Sequence, residues 1–231
     1  MKKKRLWAVM IGCPVAVLIG LWATSLFQFL PWDVFYAEDF GIVPLHSEMD
    51  FDEDGVDDYT DIMLGARKDA NNHPRYDDAY WEGGFPPDDV GVCTDVVWRA
   101  FRNAGYNLRE MVDQDITLRP WAYSAVIKPD KNIDFRRVRN LRTFFERYGI
   151  SLTLDPQAIE EWQPGDIVVF GEDEHIGVVS DRRNRNGRAY LIHNGGQFRR
   201  EEDGLDHGTI TGHYRFNAAE IESDLLVPWR N

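Results

Sequence analysis

GVCTDVVWRAF, residues 91–101, contains the one cysteine of the chain that lies beyond its first fifteen residues. Apolar residues recur at helical spacing from Cys93 onward and Gly105 follows them, which predicts a helix from Cys93 to Ala104. A thiol in the first turn of a helix has a lowered pKa and can serve as a nucleophile. A buried small hydrophobe and one half of a disulfide are the two other interpretations.

The first thirty residues differ from the rest of the chain. A basic head, residues 1–5, precedes an apolar run from Leu6 to Leu30. About 20 apolar residues span a bilayer as a helix, and the positive-inside rule places the basic head in the cytoplasm. We therefore predict a single-pass protein of the cell membrane, with a transmembrane anchor over 6–30 and an extracellular C-terminal domain. A cleaved signal peptide and a lipid attached to Cys13 are the alternatives.

The charge of the chain argues against one class of partner. Lys and Arg number 26 and Asp and Glu 39, so the formal net charge is −13, and it is −17 without the four basic residues of the head. Such an acidic domain is a poor candidate for binding nucleic acid. Because the predicted anchor holds Cys13, no disulfide within the outer domain is available to Cys93. A lone thiol in an oxidising compartment is a liability unless it is buried or used.

The sequence pattern changes along the chain from helical to strand-like. Helices are predicted over 58–70, 93–104 and 138–148. Short strands are predicted over 166–170, 175–180, 189–193 and 209–216, separated by Gly, Asn and Asp turns. Helices followed by an antiparallel meander are typical of the α+β class. We divide the outer part into a juxtamembrane segment over 31–89 and a catalytic domain over 90–231.

DFDEDGVDDYTD, residues 50–61, has the spacing of a calcium-binding loop. Carboxylates stand at places one, three, five, nine and twelve, a glycine at place six allows the sharp turn, and a backbone carbonyl serves at place seven. The predicted ligands are Asp50, Asp52, Asp54, Val56, Asp58 and Asp61. Asp at the twelfth place resembles the calcium loops of dockerin modules. We expect a structural Ca²⁺ ion here, and a solvated acidic turn is the alternative.

A thiol nucleophile needs a base, and the base needs an orienting partner. The chain has six histidines. His175 begins one predicted strand and His193 ends the next. In a meander the start of one strand lies beside the end of the following one, so we expect these two side chains to be neighbours. Position alone leaves open that either histidine is a structural residue.

Four motifs in this order resemble the NlpC-like cell-wall peptidases, which are papain-like: CTDVVWRAFRNAG, WQPGDIVVF, HIGVVSD and YLIHNGG. The resemblance implies a papain-like fold, with N-terminal helices packed on a small antiparallel sheet. It also implies Cys93 as the nucleophile, His175 as the base and His193 as the residue that orients it. More closely, GVCTDVV, NIDFRRVRNL, PGDIV, IHN and GHYR are similar to the bacterial family called domain of unknown function 1287, whose name indicates no substrate.

The chain also departs from the NlpC-like pattern. Those enzymes usually follow the cysteine with Ser-Gly, whereas Thr-Asp stands here. Asp95 either raises the pKa of the thiol or binds a substrate amine. Arg136 and Arg137 open an arginine-rich segment and are candidates for binding substrate carboxylates. The alternative is a solvated basic face that pairs with acidic neighbours.

These features together predict a membrane-anchored cysteine peptidase or amidase that acts on amide bonds of peptidoglycan. The substrate class follows from the predicted compartment and from the resemblance, not from residue chemistry. A thiol acyltransferase that uses the same residues is one alternative. A non-catalytic, calcium-dependent module that binds the cell wall is another, and a reactive Cys93 would argue against it.

Overall fold

The computed structural model describes residues 34–230. Within this range no helix is both long and apolar enough to cross a membrane. The predicted cytoplasmic head, the anchor over 6–30 and Cys13 lie outside the described residues, so these predictions stay as they are.

The α-helices of the described range bear out three predicted helices and add one. They are α1 (Asp58–Asn72), α2 (Cys93–Asn103), α3 (Leu108–Leu118) and α4 (Val138–Tyr148). α3 is not among the predicted helices, although a helix-start signal precedes it. The side chain of Asn107 accepts a hydrogen bond from the backbone N–H of Glu110, which is the ordinary N-cap contact.

The strands form two sheets. Residues of β1 (Arg75–Tyr76) and β2 (Val90–Gly91) make a short parallel pair. A six-stranded sheet contains β3 (Gly149–Ser151), β4 (Ile167–Phe170), β5 (His175–Arg183), β6 (Ala189–Ile192), β7 (Glu201–Glu202) and β8 (Ile210–Phe216). Its order is β3-β8-β4-β5-β6-β7, and every neighbouring pair is antiparallel. The four predicted strands correspond to β4, β5, β6 and β8; β3 and β7 are too short to show a period in the sequence.

The larger sheet is covered on both faces. Ile167 and Val169 of β4 belong to the main core that the helices share. Val168 and Phe170 point to the opposite face and join a second apolar cluster with Trp162. Burial on both faces explains why β4 is apolar throughout instead of alternating.

α2 is the central helix of the molecule. Every residue from Cys93 to Phe101 is buried, including the charged ones, because each of those has a partner. Arg99, for example, donates to the buried carboxylate of Asp69 at 2.6 Å. α2 packs against α1 and against strand β5. The predicted nucleophile, which is the first residue of α2, therefore lies between the helices and the sheet. Helices packed on an antiparallel sheet confirm the predicted α+β class.

The described part of the predicted juxtamembrane segment, residues 34–89, packs on the rest of the domain. Phe35 exchanges backbone hydrogen bonds of 3.0 and 2.7 Å with Arg183, at the far end of β5. The N–H of Leu45 donates to the side chain of Gln163 at 3.0 Å. This segment, which includes α1, therefore belongs to the same compact unit as the residues that follow it.

Candidate active site

Cys93 is the first residue of α2 and is 6% exposed. Within the described residues it is a free thiol, so the disulfide interpretation does not apply there. Backbone N–H groups of Ile176 and Thr94 lie near its sulfur and favour the thiolate form. Because Ile176 follows His175 in β5, this contact places the sulfur beside the start of the strand that carries the predicted base.

His175 and His193 are in direct contact. Nε2 of His175 lies 2.7 Å from Nδ1 of His193, and the two rings are inclined at 80°. β5 and β6 are antiparallel with Val178 opposite Ile192, which brings the start of β5 beside the residue that follows β6. The expected proximity of the two histidines is confirmed.

Two more polar side chains reach His193, and neither is among the predicted site residues. Oε1 of Glu202 lies 3.2 Å from Nε2 of His193, and Nε2 of Gln197 lies 3.0 Å from the same nitrogen. Glu202 is brought there by β7, in which it stands opposite Leu191 of β6. A two-residue strand leaves no periodic signal, so nothing in the sequence distinguished Glu202 from the neighbouring acidic residues.

The hydrogen bonds of His193 select a tautomer. A carboxylate can only accept, so His193 Nε2–H donates to Glu202, and His193 Nδ1 accepts from Nε2–H of His175. The lone pair of His175 is then on Nδ1. Gln197 as a donor favours the opposite tautomer, but the charge-assisted bond to Glu202 is roughly twice as strong as a neutral one and prevails.

Burial moves the pKa values of both candidate reactive groups toward their neutral forms. It raises the pKa of the Cys93 thiol to about 11, and the nearby Asp95 carboxylate adds to this shift. Burial first, and then His193 and His207, lower the pKa of His175 to about 4. The two groups are therefore a thiol and a neutral imidazole at neutral pH.

The described residues 34–230 show no hydrogen bond between the Cys93 sulfur and the His175 ring. The nearest polar groups that favour the thiolate are instead the backbone N–H groups named above. In proteins without substrate, catalytic hydrogen bonds are often long and tighten only in the complex. The structure thus places Cys93 beside the strand that carries His175, but the two side chains are not hydrogen-bonded to each other.

Asp95 and Arg136, which the sequence analysis assigned to substrate binding, bind each other instead. Arg136 donates from Nε and Nη2 to the two oxygens of Asp95 at 2.7 and 2.9 Å, and both side chains are buried. The N–H of Val92 and Nε1–H of Trp98 donate to the same carboxylate at 2.7 Å each. We therefore correct the predicted role of Asp95 and Arg136: they hold the turn that carries the thiol.

Cys93 opens onto a cleft of about 680 Å³. Arg137, the third predicted substrate-binding residue, is exposed and lines this cleft together with Lys128 and Arg139. Asp78, Asp134, Asp173 and Glu174 line the same cleft, and Arg139 lies 4.0 Å from the carboxylate of Asp173. Lys128 and Arg137 are therefore the cationic groups that the cleft offers to a ligand that reaches the thiol.

A smaller cavity of about 270 Å³ adjoins the histidines. His175, His193 and His207 line it, and Glu174 lines both this cavity and the cleft at Cys93. Glu174 therefore marks the border between the thiol side and the histidine side of the site. A larger cavity of about 990 Å³ lies at the other end of α2, around Asn103.

The structure places the predicted calcium ligands in two settings. Asp50, Asp52 and Asp54 each present one carboxylate oxygen within 4.8 Å of the others. Asp61 lies in α1 and is buried. Asp58 is also buried. Its two oxygens accept from the N–H of Phe51 at 2.9 Å and from the O–H of Tyr106 at 2.5 Å, so Asp58 attaches the loop to the core.

Fold and site define an α+β domain with a buried cysteine at a helix N-terminus and a histidine pair on the adjoining strands. The chain belongs to the family Domain of unknown function (DUF1287), whose model matches residues 63–216. Uncharacterized protein YijF of Escherichia coli (strain K12) is 40% identical over 165 residues, which are 67% of this chain and 80% of YijF. No solved structure matches. The matched range includes Cys93, His175, His193 and Glu202 and leaves out the loop over 50–61.

Proposed function

We propose that this protein is a cysteine hydrolase that cleaves an amide bond through an acyl-enzyme on Cys93. The observation that carries the proposal is the hydrogen-bonded series His175–His193–Glu202, which begins one residue before Ile176, whose N–H lies near the Cys93 sulfur. A base held by a second group, which is itself held by a carboxylate, is an arrangement that orients an imidazole for proton transfer. A papain-like fold, with the nucleophile helix packed on the strand of the base, is part of the same proposal.

Burial of both groups sets the order of the chemical steps. Because thiol and imidazole are neutral at rest, His175 Nδ1 takes the thiol proton while the sulfur attacks the amide carbonyl carbon. The backbone N–H of Cys93 donates to the resulting oxyanion. The imidazolium then protonates the leaving amine as the C–N bond breaks, and water, activated by the neutral imidazole, hydrolyses the thioester.

The cleft favours a substrate that carries carboxylates. Lys128 and Arg137 are exposed along it, whereas Arg139 is paired with Asp173, and the guanidinium group of Arg137 matches carboxylate geometry. The peptide stems of peptidoglycan combine amide bonds with free carboxylates, so we propose them as the substrate class. The anchor and extracellular location predicted from residues 1–30 would place the domain beside that polymer.

Digestion of purified peptidoglycan by the full chain tests the proposal. We expect mass spectrometry to find fragments with new amine and carboxyl ends for the wild type and none for Cys93→Ala. Identical digests from the two proteins would overturn the proposal.

The same experiment separates the two alternative functions. Products joined to an added amine, in place of free acids, would identify an acyltransferase. Equal sedimentation of both proteins with the polymer, without any fragments, would identify a binding module.

A further inference from the structure

The loop over 50–61 brings like charges together. Carboxylate oxygens of Asp50, Asp52 and Asp54 lie within 4.8 Å of one another. Asp50 also accepts the backbone N–H groups of Asp54 and Gly55 at 3.1 and 2.8 Å, which turns the chain back over its first residue. Gly55 has φ +94, a left-handed conformation that favours glycine, and it stands at the sixth place of the loop. This arrangement alone is compatible with a solvated acidic turn.

Asp61 supplies a second, independent observation. It is 3% exposed, and its Oδ2 atom is buried without any hydrogen-bond partner. Its other oxygen accepts from Nδ2 of Asn103 at 2.7 Å. The side chain of Asp52 packs against Gly105, two residues beyond Asn103, so the unpaired oxygen of Asp61 and the acidic loop meet at the same end of α2.

A buried carboxylate oxygen without a partner is costly, and neighbouring carboxylates add to the cost. A divalent cation removes both costs at once, because it supplies the missing partner and neutralises the repulsion. Within the described residues no Lys or Arg side chain makes an ion pair with Asp50, Asp52, Asp54 or Asp61. The compensating charge is therefore expected from outside the chain.

We propose that the loop binds one Ca²⁺ ion through Asp50, Asp52, Asp54, Asp61 and the backbone carbonyl of Val56. Calcium accepts six to eight oxygen ligands in a flexible geometry, whereas Mg²⁺ demands a near-ideal octahedron and keeps several waters. Carboxylates spaced along a turn and an adjoining helix suit the larger ion. Asp58 is left out of the ligand set because it is buried and its Oδ2 accepts the O–H of the fully buried Tyr106, which directs the carboxylate into the core.

The ion would brace the helix of the candidate nucleophile. Asp61 is bonded to Asn103, the last residue of α2, whose first residue is Cys93. Tyr106, just after α2, donates to Asp58 of the same loop at 2.5 Å and stacks on Phe51 with ring centroids 4.2 Å apart. The metal site thus holds the C-terminal end of α2 and stabilises its position on the sheet. This inference does not depend on the proposed hydrolase activity.

Calcium binding to the full chain is the test. The chelator-treated protein is titrated with CaCl₂ by calorimetry, and its thermal unfolding is followed with and without the ion. At a free Ca²⁺ concentration of about 100 times Kd, we expect the Tm to rise by about 5–10 °C. We expect MgCl₂ at the same concentration to raise it much less. No binding heat and no Tm shift at about 10 mM Ca²⁺ would overturn the proposal, since extracellular loops bind at about 10⁻⁴–10⁻³ M.

Substitutions within the loop separate a defined site from diffuse attraction. Asp54→Asn replaces an exposed ligand and should abolish most of the Tm shift without affecting folding. Glu53→Gln is the matched control, because it removes the same charge from the neighbouring exposed position, which is outside the ligand register. Equal losses in the two variants would show general electrostatic attraction and overturn the site.

Asp61→Asn tests the buried ligand, because its expected effect on thermal stability differs between the calcium-free and the calcium-bound protein. Without calcium this variant should unfold at the same temperature as the wild type or higher, because it removes a buried unpaired charge. With calcium it should show almost none of the wild-type Tm shift. A variant that is less stable without calcium and keeps its calcium response would show that Asp61 is structural and overturn its assignment as a ligand.

Discussion

Nε2 of His175 and Nδ1 of His193 lie 2.7 Å apart, across the antiparallel pair β5–β6. This contact occupies one nitrogen of His175 and leaves the other for a reacting group. It also connects His175 to Glu202, whose carboxylate is 3.2 Å from the far nitrogen of His193. The proposed chemistry depends on this series, because it decides which nitrogen of His175 carries the lone pair.

Alkylation should show that Cys93 is a buried thiol and not a resting thiolate. Because burial raises its pKa to about 11, labelling by iodoacetamide should be slow at neutral pH and still increase above pH 9. Mass spectrometry of the peptide that contains Cys93 gives the rate at each pH. The guanidinium-unfolded chain, with an expected midpoint near pH 8.5, is the control. A plateau already reached below pH 7 would mean that a thiolate–imidazolium pair exists before substrate binds.

Glu202→Gln should impair catalysis without unfolding the protein. A glutamine can donate to His193 Nε2, which favours the wrong tautomer of His175, so we expect kcat to fall at least about tenfold with little change in KM. Glu172→Gln is the matched control, because it removes the same charge from an exposed position in the turn between β4 and β5, outside the series. Steady-state kinetics on the substrate identified above, with the Tm of each variant, is the measurement. Equal kcat values for the two variants would rule out the relay.

His175 should make the protein less stable in acid. Its pKa is about 4 in the folded state and about 6.5 when unfolded, so between these values the unfolded chain binds a proton that the folded protein does not. The free energy of unfolding therefore falls as the pH falls through this window, by up to about 3 kcal/mol. Urea denaturation at about pH 7 and about pH 4.5 should show a smaller loss for His175→Gln than for the wild type. Equal losses would contradict a buried neutral histidine.

Asp95→Asn should destabilise the fold, whereas Arg137→Ala should not. Breaking one side of the buried Asp95–Arg136 pair leaves an unpaired charge and costs about 3–5 kcal/mol. Arg137 is exposed, so its loss should change stability by no more than about 0.5 kcal/mol and raise KM instead. Chemical denaturation and steady-state kinetics of both variants test this. A stable Asp95→Asn protein with an altered KM would restore the substrate-binding role that the sequence predicted.

The helix of the candidate nucleophile was predictable because its signals are local. Apolar spacing after Cys93 and the glycine at 105 define α2 within one residue of its observed end. The strands β4, β5, β6 and β8 follow from runs of apolar residues between turn residues, and their order along the chain predicts an antiparallel meander. The sheet has this order for β4, β5 and β6, whereas β8 returns to pair with β4. That topology was sufficient to expect His175 beside His193.

Long-range partners were not predictable in the same way. Asp95 precedes Arg136 by 41 residues, and only the packing of the segment 134–136 against α2 makes them a buried pair. The side chain of Glu202 reaches His193 because a two-residue strand pairs with β6. Neither contact is marked by a periodic pattern or a motif. A charged residue gives the same signal in the sequence whether it is solvated or paired.

The sequence by itself determined the α+β class, the family, the three residues Cys93, His175 and His193, and the register of the acidic loop. All of these depend on the spacing of residues along the chain, and that spacing is visible in secondary-structure periodicity and in motifs. Only the tertiary structure decided which of the charged residues are buried and what each one contacts. It showed that Asp95 and Arg136 pair with each other in the core instead of binding substrate. It also showed that burial keeps both candidate catalytic groups in their neutral forms. Burial and pairing depend on residues far apart in the chain, so the free energies that set these pKa values arise only when the chain has folded.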